Sequence, residues 1–179
     1  MTEPAEAPEA VYAAFEWVSL LRAGDFMTAW ATMTPTLRLA LTQLWIVANP
    51  EVLDTVDDRD VLAAELAQPT PDHALWTDLS RDTEREIRKV TTDPVGDRKL
   101  GLASTHRPLS PGLEIARLVP LDQLDQPNGQ AVWLPEQTVH SVTLIMQWGE
   151  HGWSVAGLAD HLYTPGWPPT VERVVEPHD

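Results

Sequence analysis

The 179-residue chain has no cysteine, which removes disulfides, thiolate nucleophiles and cysteine-ligated zinc or iron–sulfur sites in one step. Only histidine and carboxylate metal sites remain open, and no metal or cofactor is expected. Basic residues are scarce: 12 Lys and Arg stand against 27 Asp and Glu. The resulting formal charge of −15 repels phosphate backbones and anionic lipid, so neither nucleic acid nor a membrane surface is an expected partner. Lysine is confined to Lys89 and Lys99 while Arg, Ala and Pro are plentiful, a bias typical of a GC-rich bacterial gene. Long apolar runs are missing too. No segment approaches the roughly 18 apolar residues of a membrane span, and "MTEPAEAPEA" has neither a basic n-region nor an apolar h-region. The expected location is the cytoplasm.

Several chemistry-bearing motifs are likewise absent. Gly96 and Gly101 stand apart, and nothing resembles a phosphate-cradling loop. No G-x-S-x-G elbow occurs. "DTVDDRD", residues 54–60, lacks the central glycine and closing glutamate of a calcium-binding EF-hand loop and reads as helix-capping acid.

What is present begins with residues 1–9, "MTEPAEAPE", an acidic stretch with almost nothing to bury and an expected disordered leader. From Ala10 the pattern is helical: Val11, Phe15, Val18 and Leu21 recur at spacings of three and four, and Gly24 sits where a helix-terminating glycine belongs. Asp25 caps a second helix through Phe26, Ala29, Trp30 and Met33. Thr34-Pro35 starts a third carrying Leu37, Leu41, Leu44 and Trp45, which Asn49-Pro50 ends. "DRDVLAAELAQ" gives a fourth helix and the segment after Asp72 a fifth.

Past "TTDPVGD" the grammar changes to β-branched and aliphatic runs, "RKLGLASTH", "GLEIARLVPL", "AVWLPEQTVHSVTLIMQW" and "GWSVAGLADHLY", which read as three or four antiparallel strands. The last two form a hairpin around Glu150-His151 or Gly149–Gly152. One register pairs Trp148 with Trp153, Met146 with Val155, Leu144 with Gly157, Val142 with Ala159 and His140 with His161. Residues 164–179, "TPGWPPTVERVVEPHD", are too proline-rich for helix and are expected to run extended across the body, stapled by Trp167. Helices first and strands after them predict a single α+β domain over 10–163, with the helices on one face of an antiparallel sheet.

"LLRAGDFMTAWATMTPTLR", followed at the end by "GWSVAGL", resembles the first helices and closing strand of nuclear transport factor 2-like proteins, a superfamily that includes SnoaL-like cyclases and ketosteroid isomerases. The resemblance implies a cone: a curved sheet wrapped on a long helix around an apolar cavity, and a homodimer through the strand block. It implies no reaction, because the scaffold hosts enzymes, binding modules and dimerisation domains. The pocket acid and phenols of the catalytic members have no matching position here, neither at Glu114, Glu136 and Asp160 nor at Tyr12 and Tyr163.

Eight tryptophans against two Phe and two Tyr either fill the core or converge on a planar ligand. The ligand reading places Trp17, Trp30, Trp45, Val142, Leu144, Met146, Trp148, Trp153 and Val155 around the cavity. Trp76 and Trp133 lie on a helical and a strand segment respectively. His140 and His161, if paired, are candidates for acid/base work, or merely sit at strand ends. The function expected is a non-catalytic module that binds a hydrophobic small molecule or a protein partner. The alternatives are a SnoaL-like acid/base enzyme and an acidic inhibitor or immunity-type protein for a basic target.

Overall fold

In the computed structural model, residues 9–102, 107–123 and 138–174 are described. The remaining positions, which include Trp133, Glu136 and the expected leader up to residue 8, lie outside the described residues.

The helix signals act where the sequence places them. Helix α1, Glu9–Ala23, buries Val11, Ala14, Trp17, Val18 and Leu21, and ends at Gly24, whose φ of 77° is a left-handed conformation that a side chain disfavours. The Asp25 carboxylate accepts from the Thr28 amide at 3.2 Å to start α2, Phe26–Ala31. The Thr34 hydroxyl does the same for the Leu37 amide, with Pro35 in the first turn of α3, Pro35–Ala48. Asp58 caps α4, Arg59–Leu66. A short 3-10 helix, Pro50–Thr55, joins α3 to α4. Helix α5, Trp76–Val90, starts later than expected, because the His73 imidazole accepts from the Leu75 amide and holds a turn just before it.

Among the described residues seven strands form one antiparallel, open sheet: β1 Leu100–Leu102, β2 Arg107–Ser110, β3 Leu113–Pro120, β4 Val142–Gly149, β5 Gly152–Leu158, β6 His161–Thr164 and β7 Thr170–Arg173. Their order is β1-β3-β4-β5-β6-β7, and β2 pairs with β3 beside β1. Alternation sends Ala116, Leu118, Val142, Leu144, Met146 and Val155 into the core shared with α1. Ile115, Val119 and Ile145, on the opposite face, are buried as well. The link between α2 and α3 is sewn to β5, with the Thr34 amide on the Val155 carbonyl at 2.8 Å and the Val155 amide on the Thr32 carbonyl.

The hairpin register holds only near its tip. Trp148 faces Trp153 and Met146 faces Val155 around a two-residue loop, Glu150-His151. A β-bulge then places Ala156 as an extra residue, so that Ile145 faces Gly157 and Leu144 faces Leu158 rather than Gly157. Beyond Leu158 the chain reverses through Ala159, whose φ is 52°, and Asp160, and β6 pairs on the far side of β5 with Leu158 opposite His161. The expected pairs Val142 with Ala159 and His140 with His161 therefore do not form: β5 lies between β4 and β6.

The tight return depends on Gly157. A Cβ there would lie 2.3 Å from the His161 carbonyl oxygen and 2.9 Å from the Ile145 Cδ1, closer than atoms pack. Gly157→Ala is thus expected to destabilise the fold by about 1–3 kcal/mol, the usual cost of overpacking, seen as a lower urea midpoint. An unchanged midpoint would contradict this register.

The tail is more ordered than an extended strap. Residues 170–173 are the edge strand β7, paired with β6. The Gly166 amide donates to the buried Gln43 side chain at 2.9 Å. The Trp167 indole donates to Asp60 at 2.6 Å beneath the Arg59 guanidinium, 4.7 Å from the ring centroid, so Trp167 does staple the tail to the start of α4.

Candidate functional site

The seam between α3 and α5 holds a recess. On α5 the buried residues are Leu79, Thr83 and Ile87, each four apart, which makes a narrow apolar stripe on an otherwise charged helix. Such a stripe closes only one line of contact with α3. A groove of about 490 Å³ remains beside it, floored by Leu41, Leu44 and Trp45 of α3, Ile87 of α5 and Leu158 of β5. Ala48 and Val90 stand at its exposed ends, and Tyr163 of β6 enters from the sheet side.

Polar groups gather along one rim. The Trp45 indole N–H donates to the Asp82 carboxylate at 3.3 Å, which fixes the ring, and the Asn49 side-chain amide donates to the Trp45 backbone carbonyl at 2.8 Å. Asp82 also accepts from Arg81 at 3.3 Å and pairs with Arg85 at 3.3 Å. Glu86, on the same rim, pairs with Lys89 at 2.7 Å. The Trp45 hydrogen bond, followed by the Arg81 bond, holds the Asp82 carboxyl below its ordinary value. Burial pushes the Tyr163 phenol up, keeping it neutral. Among the described residues the Tyr163 hydroxyl makes no hydrogen bond within the protein, so it can donate to a guest.

The structure separates the expected cavity residues. Trp45 lines this groove; Trp17, Trp30, Val142, Leu144, Met146 and Val155 are buried in the main core. Trp17 and Trp30 are locked there, donating to the carbonyls of Ala29 and Gln68, each at 2.9 Å. Trp30 also meets Trp76 and Phe26, with ring centroids 5.3 and 6.0 Å away. Trp148 and Trp153 meet edge to face at the hairpin tip, 5.5 Å apart, with Trp148 exposed.

The histidines are apart. The His140 amide is held by the Gln123 side chain, whereas the His161 imidazole sits 2.9 Å from Asp160 at the β5–β6 turn. Asp160 also accepts from Arg173 of β7 at 2.5 Å. Burial raises the Asp160 carboxyl, but Arg173, the residue's own backbone amide and the neighbouring His161 together outweigh it and the net effect is downward. That arrangement is a clasp on the edge strand.

Asp82 and Glu86 carry no mark in the local sequence, and Tyr163, which matches no phenol of the catalytic members, lines the groove all the same. Leu41, Leu44, Trp45 and Ala48 do share a helical face, which was visible; nothing in the local sequence says that α5, more than thirty residues on, lies across it. Among the described residues no group of three or more His, Asp or Glu side chains could hold a metal ion, and no helix is long and apolar enough to cross a membrane. Comparison of the chain with protein-family models, with curated proteins and with solved structures finds no match.

Proposed function

We propose that the protein is a non-catalytic binding module of nuclear transport factor 2-like build, and that it takes a hydrophobic small molecule into the groove between α3 and α5. The observation that carries this reading is the groove itself: an apolar floor of about 490 Å³ with a few fixed polar groups on one side, the composition of a ligand pocket. The order of elements, with α1 packed on an antiparallel sheet that closes the chain, supports the family reading. The ligand position departs from it, because the groove lies between α3 and α5 and not among the sheet residues packed with α1.

The pKa directions favour binding over acid/base turnover. A general acid or base works best with a pKa near the operating pH, yet Asp82 is shifted down and Tyr163 up. Both move away from neutrality, leaving a weak base and a weak acid. As a hydrogen-bond pair they suit a ligand with one polar end. Self-association fits the same reading, and with Ile115 and Ile145 already buried it would run through an open edge such as β7.

The test uses the neutral fluorophore N-phenyl-1-naphthylamine. It is expected to bind saturably with a Kd on the order of 10 μM, equally at low and high salt because no charge pair is involved. Ala48→Trp, at an exposed end of the groove, should weaken binding by about tenfold or more, about 1.4 kcal/mol, with an unchanged melting temperature. No saturable binding, or binding indifferent to A48W, refutes the reading.

A further inference from the structure

A second recess, of about 350 Å³, lies where the start of α3 meets the β2–β3 turn and strands β4, β5 and β6. Register fixes its floor: Leu113 stands opposite Gln147, and Leu162 opposite Gly157 beyond the bulged Ala156. Thr34 and Thr36 at the start of α3 form one wall, and Ser110 and Pro111 of the β2–β3 turn another. Thr164 closes the end of β6. The bulged Ala156 lies on this lining with the end of β6 and the α3 threonines, and bulges are frequent beside binding sites.

The chemistry of the walls is distinctive for this chain. Although the protein carries 27 acidic and 12 basic residues, no residue lining this recess is charged. The side chains of Thr36, Ser110, Gln147 and Thr164 make no hydrogen bond within the described residues, so three hydroxyls and one carboxamide converge with both donor and acceptor capacity unspent. The Thr34 hydroxyl accepts from the Leu37 amide and keeps its proton to donate. A charged guest would find no counter-charge here. A purely apolar guest would strip water from these groups without replacing their hydrogen bonds. A guest bearing many hydroxyls and apolar C–H faces satisfies both the polar walls and the patches of Pro111, Leu113 and Leu162.

We propose that this recess is a second binding site, meeting the groove only at Tyr163, which lines both, for a neutral carbohydrate of one or two rings. Its volume falls at the small end of ligand pockets, which limits the guest to that size.

The test is a ¹H–¹⁵N NMR titration of the full chain with maltose, cellobiose and N,N′-diacetylchitobiose at millimolar concentration, with glucosamine and glucuronate as charged counterparts. At least one neutral disaccharide is expected to shift the Gln147 side-chain amide and the backbone amides of Gly112 and Thr164. Q147A and T164V, both exposed positions, should each weaken that binding by about fivefold to tenfold, the loss of one hydrogen bond, with the rest of the spectrum unchanged. The charged sugars should bind more weakly. The proposal is overturned if none of the three disaccharides moves these resonances, if the shifts survive both substitutions, or if a charged sugar binds best.

Discussion

Replacing Arg38 by alanine is expected to cost on the order of 3–4 kcal/mol of folding stability, enough to threaten a domain of ordinary stability. Arg38 is 6% exposed and among the described residues has no carboxylate partner. Its Nε donates to the Ala67 carbonyl at 2.8 Å, and one Nη donates to the carbonyls of Met33 and, at 3.4 Å, Ala31. Those oxygens belong to the C-terminal ends of α2 and α4, where the helix dipoles are negative and the carbonyls have no partner within their own helix. One side chain thus closes two helix ends. Desolvation lowers the Arg38 pKa, but a guanidinium retains its proton even so. Arg38→Ala leaves buried carbonyls unsatisfied. Arg38→Lys keeps the charge but not the fork, and should retain roughly half of the lost stability. Urea midpoints at constant slope measure both; a loss under about 1 kcal/mol for R38A would contradict this role.

The second large effect is expected at Trp30. This indole is fully buried, packs at 5.3 Å from the Trp76 ring and 6.0 Å from the Phe26 ring, and donates to the Gln68 carbonyl. Three elements meet on it: α2, the segment after α4, and the start of α5. Trp30→Ala should cost about 3–5 kcal/mol, as large-to-small aromatic changes in a packed core do. Trp30→Phe keeps most of the packing and loses chiefly the hydrogen bond, about 1 kcal/mol. Because the ring is core and not pocket wall, W30F should leave binding of the naphthylamine in the groove unchanged. Lost binding in a fully folded W30F protein would return the ligand to the sheet's interior.

How far these features were legible in the sequence follows from where each signal lies. Helix ends are written locally: Gly24 after α1, Asp25 before α2, Thr34-Pro35 before α3 and Asn49 after it each act through the residue itself or a neighbour within four positions. The Trp148–Trp153 pair was equally accessible, since a two-residue loop fixes the register next to it. The register failed at Ala156 because a bulge in an aliphatic run has no sequence mark. The β5–β6 turn was missed for a related reason. It is built from Ala159 and Asp160, with alanine in the positive-φ position where glycine or asparagine would have announced a reversal. "GWSVAGLADHLY" therefore read as one strand, and His161 was placed beside β4 instead of beyond β5.

The tail shows the opposite case. Its prolines rule out helix, but strand β7 exists because β6 offers an edge and Asp160 holds Arg173 and the Val174 amide, all tertiary contacts. The groove was hidden similarly. Trp45 is among the expected ligand residues, but Asp82 and Glu86 carry no mark in the local sequence, since their place opposite α3 depends on packing. Arg38 carried no signal at all, since a buried arginine bonded only to carbonyls looks in sequence like any surface arginine.

The central claim is that the groove at Trp45, rather than the tryptophan-rich core, receives the ligand. The indole N–H resonances of the eight tryptophans test it most directly, followed in ¹H–¹⁵N spectra during titration with N-phenyl-1-naphthylamine. The account predicts that the Trp45 indole moves as its bond to Asp82 adjusts, while those of Trp17 and Trp30 stay fixed on the Ala29 and Gln68 carbonyls. Shifts at Trp17, Trp30 or Trp153 with Trp45 unmoved would contradict it.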